Sequence, residues 1–202
     1  MNALLIFQII ILIYSIIIHE IGHGYVAYLF GDKTAYYMNR LTLNPIPHID
    51  LFGSILLPLI LLTSGGGIIA GYAKPVPVNE NNLSNGKLGQ FCVSFAGVFI
   101  NLLLAIVFTI IGSFFVDINL KTLAYLVAVT NLGLGIFNLI PIPPVDGYRI
   151  VSLFLPIKVK NKIEILINQY LIIFLLGAIF IASFIFSKIF PYFSEIVYNF
   201  IF

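Results

Sequence analysis

Residues 3–30 read ALLIFQIIILIYSIIIHEIGHGYVAYLF. This is an apolar run long enough, as a helix, to cross roughly 30 Å of hydrocarbon. It ends at Gly31-Asp32-Lys33 and carries His19, Glu20 and His23 in its second half. No charged segment precedes it and no small-x-small cleavage pattern follows it, so it reads as a retained helix rather than a signal peptide. The rest of the 202 residues agrees: 60% are apolar and 9% charged, with a mean hydropathy of +1.09. A soluble domain has roughly 25% charged residues. The expectation is an all-α, polytopic transmembrane helical bundle, since long apolar runs without alternation do not make outer-membrane strands. A single cysteine, Cys92, excludes an internal disulfide framework. The net charge of +2, without a basic cluster, gives no nucleic-acid footprint.

Apolar stretches outline spans at about 3–30, 88–116, 120–140 and 163–189, all within one integral-membrane domain covering 1–202. The third, 120–140, ends where Pro141, Pro143 and Pro144 interrupt a helical pattern. An aromatic tail, Tyr192 to Phe202, is expected in the membrane interface. Residues 51–70 are weaker, with Gly53, Pro58 and Gly65-Gly66-Gly67. That composition suits a re-entrant or irregular embedded segment, backbone that membranes tolerate only under cover of protein or a water-filled cavity. Charge supports it. If 51–70 spans, six Lys/Arg residues lie on one side and four on the other. If it does not, the division is eight to two, which the positive-inside rule prefers. Four crossings then place both termini outside the cytoplasm. The 51–87 region is expected to gate or clamp a substrate.

His19-Glu20-Ile21-Gly22-His23 carries the chemistry. Histidines four apart share one helix face, so both imidazoles can bind one metal ion. Glu20 lies within about 60° of His23 around the helix and can reach a metal-bound water without being a ligand. This is the zinc metalloprotease arrangement. Ionisable groups at membrane depth each cost about 2.5–3.5 kcal/mol on insertion scales, and a shared metal offsets that. Gly22 and Gly24 serve either close helix packing or backbone access for an extended substrate.

Catalytic zinc normally takes three protein ligands. Asp146 is the best third candidate: Pro141, Pro143 and Pro144 break the preceding helix and Gly147 permits a turn, although Asp-Gly is also a common turn pair. Its reach depends on topology. The histidines lie about 24 Å along the helix from Ala3. Asp146 emerges at their end only if 51–70 does not span, the arrangement charge already favours.

These motifs resemble the site-2 proteases, intramembrane zinc metalloproteases, and in particular the short bacterial forms without PDZ or CBS domains. The resemblance rests on His19 to His23 and on Asn138 to Gly147. It extends to Arg40-Leu41-Thr42-Leu43-Asn44-Pro45-Ile46-Pro47-His48-Ile49-Asp50, to Gly71 through Asn79, and to Ala96-Gly97-Val98-Phe99-Ile100-Asn101. The last of these has Val98 where the family usually has proline. The resemblance covers about residues 10–155. It implies one Zn2+ per chain held by His19, His23 and Asp146, with Glu20 as catalytic base. It implies a carbonyl-stabilising role for Asn138, whose amide could instead bond carbonyls freed at the helix break. It also implies substrate contacts for Asn101 and Gly97, where Asn101 could instead bridge helices. His48 reads as structural or interfacial rather than as a ligand. The expected substrate is a single-pass membrane protein or signal peptide, cut within or near its transmembrane segment in a bacterial or archaeal cell membrane. The alternative is a divalent-metal transporter or channel with the same ionisable residues lining a path. Nothing in the sequence sets the oligomeric state.

Overall fold

The computed structural model describes residues 3–50 and 73–202. The expected embedded segment at 51–70 therefore lies outside the described residues. Among them the chain is helical, in two compact units, Met1–Ser84 and Asn85–Phe202.

The first unit is built on α1, Ala3–Leu29. A short helix α2, Thr34–Tyr37, follows, then single 3-10 turns at Ile46–His48 and Glu80–Asn82. Residues 73–79 connect without helix or strand. Gly31 ends α1 with φ +102, a left-handed conformation that glycine adopts at little cost.

The second unit contains α3, Lys87–Ser113, and α4, Ile118–Leu139. It continues with α5, Asp146–Ser152, α6, Ile157–Gln169, and α7, Leu171–Ile201. Asp117 caps α4 by accepting the N–H groups of Asn119 and Leu120 at 2.8 and 3.0 Å. Helices α3 and α4 meet through small residues. A Cβ on Gly112 would lie 2.9 Å from Ala124 Cβ, and one on Gly135 would lie 2.8 Å from Leu102 Cδ2. Where lipid removes the hydrophobic drive between helices, such close packing is what holds them together. The core gathers Ala105, Ala128, Leu132, Val197 and Ile201.

Among the described residues, three helices are long and apolar enough to cross a membrane: Leu4–Leu29, Lys87–Ser113 and Ile118–Leu139. They correspond to the first three expected spans. The fourth expected span, 163–189, differs. The chain is helical from 157 but breaks at Tyr170 (φ −124, ψ 39), and α7 runs on through Pro191 to Ile201. The tail is thus the end of a long helix. Val197 and Ile201 are core residues, and the rings of Tyr198 and Phe202 pack against Tyr125. The helix bounds differ from those of the apolar run because α6 is rich in lysine and the tail places Glu195 and Asn199 among its aromatic residues.

Candidate active site

The helical spacing of His19 and His23 has the expected result. Their Nε2 atoms are 3.0 Å apart, their rings meet edge to face at 83°, and both side chains are buried. Two nitrogens on one tetrahedral zinc, each at about 2.0–2.1 Å, stand roughly 3.3 Å apart. The pair therefore fits a single metal ion with a shift of a few tenths of an ångström.

Glu20, between them in sequence, is not idle. Its Oε2 accepts the backbone N–H of Val76 at 2.8 Å. The extended segment carrying Val76 is fixed at several other points. Lys74 N–H donates to His48 O at 2.8 Å. Arg40 Nη2 donates to Lys74 O at 2.7 Å and Pro75 O at 3.3 Å. Asn79 N–H donates to Asp32 Oδ2 at 2.6 Å. Gly24 makes room for this strap: a Cβ there would lie 2.6 Å from Val76 Cγ1 and 2.7 Å from Leu41 Cδ2. Of the two roles open to this glycine, the described residues show close packing, against the strap, Leu41 and Ala35 of α2.

Two titratable groups anchor the same unit. Asp32 is fully buried. Burial works against its charge, but hydrogen bonds from the Thr34 hydroxyl, Asn79 N–H, Asn82 amide and Thr34 N–H outweigh it and hold the carboxyl below its usual value. His48 is also buried, and its Nε2 lies 2.9 Å from Thr42 O. A carbonyl only accepts, so Nε2 carries the proton. Burial, with the Arg40 charge adding to it, keeps this imidazole below its ordinary value, against the raising influence of Thr42 and Glu20. His48 is a structural histidine, as expected.

The remaining site candidates lie in the second unit. Asp146 is the first residue of α5 and is buried. A Cβ on the next residue, Gly147, would stand 2.4 Å from Leu139 O and 2.5 Å from Ile140 O. Glycine there lets α5 begin hard against the last turn of α4, which fixes where the Asp146 backbone sits in that unit. Asn138 Nδ2 donates to Leu134 O at 3.0 Å, which engages one of the two N–H bonds of its amide. Asn101 is fully buried on α3 and Gly97 is buried one turn earlier.

The profile of peptidase family M50 matches residues 7–118 and 113–178. The chain belongs to peptidase family M50. Among relatives of this M50 chain, the Bacillus subtilis (strain 168) protein YwhC, provisionally named a zinc metalloprotease, is 39% identical over 187 residues. That match covers 86% of this chain and 80% of YwhC. Zinc metalloprotease MJ0392 of Methanocaldococcus jannaschii is 30% identical over 150 residues, covering 74% of this chain and 34% of its own. Rip2 of Mycobacterium tuberculosis (strain H37Rv), with the same provisional name as YwhC, is 29% identical over 166 residues, covering 80% and 62%. The chain thus spans four-fifths of the first relative and less than two thirds of the other two. No solved structure matches it. As an M50 peptidase it is a multi-pass membrane zinc metalloprotease of the site-2 type. No observation favours the metal-transporter alternative.

Sequence reasoning missed Arg40 and Val76 as neighbours of the site. Both stand in motifs quoted above, but a main-chain N–H leaves no mark in residue type. The one available signal is Pro75-Val76-Pro77, where only the central residue has an amide donor.

Proposed function

We propose that His19, His23 and Asp146 hold one zinc ion and that Glu20 is the general base for hydrolysis of peptide bonds in membrane-spanning segments. The observation that carries this reading is the pair of buried imidazoles on one turn of α1, 3.0 Å apart, beside a carboxylate already held by a backbone amide. Two histidines leave zinc one protein ligand short, and a carboxylate is a usual third. Asp146 is supported by its burial, its rigid seat against α4 and its place in the family motif.

When bound, zinc lowers the pKa of its water toward neutrality and polarises the scissile carbonyl. Glu20 takes a proton from the attacking water and delivers it to the leaving amine. Its Oε2 accepts the Val76 N–H, which commits part of that oxygen's lone-pair capacity, and we assign the transfer to Oε1. Asn138 spends one amide N–H on Leu134 O, and the other can donate to the carbonyl oxygen as that oxygen gains charge. A substrate helix hides its carbonyls in its own hydrogen bonds, so it must unwind locally before attack. The substrate is a single-pass membrane protein or a signal peptide.

Metal analysis of the full chain purified in detergent tests the ligand set. Wild type is expected to bind one zinc per chain, and His19→Ala and Asp146→Ala to lose about 90% or more of it. Asp117→Asn, altered at the cap of α4, is expected to retain it. Full zinc in Asp146→Ala would remove that residue from the site.

A further inference from the structure

We infer that Arg40 and Val76 are positioning residues for Glu20: Arg40 clamps the strap by two carbonyl oxygens so that the next amide N–H meets the carboxylate of the base. The inference rests on Glu20 being the base, as proposed above. Every group in it belongs to the first unit.

The chain of contacts is short. Arg40 Nη2 donates to the carbonyls of Lys74 and Pro75, and Val76 N–H, in the same peptide group as the Pro75 carbonyl, donates to Glu20 Oε2. Pro75 and Pro77 have no N–H and hold φ near about −65°. Across three residues there is therefore one donor, on a stiff extended backbone. The Val76 side chain is buried over Gly24, which fixes how far the strap stands from α1. Arg40 is itself buried. Taking a guanidinium out of water is expensive, and its described partners are neutral carbonyls of the strap. Charge-assisted bonds are roughly twice as strong as neutral ones, so this is a firm clip.

The consequence falls on Glu20. The last torsion of a glutamate is broad and roughly two-fold, so an untethered carboxylate sweeps an arc. Anchoring one oxygen orients the other. Reaction geometry is steep enough that a displacement of about 1 Å costs roughly 100-fold in rate. A strap that blocked the base instead would have the opposite effect, since releasing it would raise turnover.

Variants of the full chain in liposomes, cleaving a single-pass substrate that the wild type cuts, separate these cases. Val76→Pro removes the N–H and keeps an extended backbone, while Val76→Ala keeps the N–H and loses side-chain packing. Val76→Pro is expected to lower kcat about 10- to 100-fold, with KM and zinc content near wild type, and to be at least about ten-fold slower than Val76→Ala. A purely structural strap gives the reverse order, because Val76→Ala removes the packing. Arg40→Gln is expected to lower kcat with zinc retained, and Arg40→Lys, which keeps the charge but not the fork, to recover part of it. If Val76→Pro does not fold, the Arg40 pair decides. Wild-type or raised kcat in Val76→Pro or Arg40→Gln overturns the inference, as does a loss in Val76→Ala equal to that in Val76→Pro. Glu20→Gln tells the two failures apart. If it cleaves normally, the base assignment itself is wrong. If it is inactive while Val76→Pro is fully active, only the positioning role fails.

Discussion

A Cβ on Gly24 would lie 2.6 Å from Cγ1 of Val76, so the helix bearing the histidine pair and the strap that touches Glu20 approach this closely only because residue 24 is glycine. Valine is β-branched and stiff, and its strap is pinned at Lys74 and Asn79, so it has little room to yield. Gly24→Ala therefore pushes the strap outward. Overpacking costs about 1–3 kcal/mol, and the better helix propensity of alanine returns about 1 kcal/mol. A net loss near 1 kcal/mol is expected, read as a lower midpoint of thermal unfolding, together with slower cleavage.

Gly147→Ala is expected to do more damage. The added carbon would meet backbone oxygens of Leu139 and Ile140 at 2.4 and 2.5 Å, which cannot rotate away as a side-chain tip can. The cost should exceed the about 1–3 kcal/mol of ordinary overpacking, and zinc content should fall because the adjacent Asp146 is displaced. A variant with wild-type stability and zinc would contradict this.

Asp32 joins the end of α1 to residues 79–82 through bonds from Thr34, Asn79 and Asn82. Asp32→Ala leaves those donors unsatisfied, and a loss of about 2–4 kcal/mol is expected from hydrogen bonds to a buried charge. The carboxyl sits below its ordinary value of 3.8 when folded. Its contribution is therefore complete above that value and is lost as pH falls through the lower folded value. Unfolding followed from pH 5 to pH 2, in wild type and Asp32→Asn, should show a fall in stability that the variant lacks.

His48 acts in a different window. Its folded value lies below 6.5, so at pH below 6.5 the unfolded chain takes up a proton that the folded chain resists. Stability from this group is present above pH 6.5 and declines as pH falls beneath it. His48→Gln should flatten the slope of unfolding free energy between pH 7 and pH 5. An unchanged slope would mean that the buried ring titrates normally.

The histidine pair of α1 was legible because it depends on helical period alone: four residues bring His19 and His23 to the same face, and their Nε2 atoms meet at 3.0 Å. Helices α3 and α4 were legible because their length and apolarity match a bilayer. The break at Tyr170 and the docking of Val197 and Ile201 were not, since both depend on which neighbours a uniformly apolar face finds. Arg40 was quoted as part of a motif, yet its partners are carbonyls 34 and 35 residues away, a pairing that no local pattern encodes.

The most direct test of the central claim pairs zinc content with substrate cleavage in Glu20→Gln. The substitution keeps the size of the side chain and removes its ability to take a proton. The account predicts one zinc per chain, as in wild type, with cleavage of a single-pass substrate reduced by about 100-fold or more. Cleavage at the wild-type rate with zinc in place would contradict it.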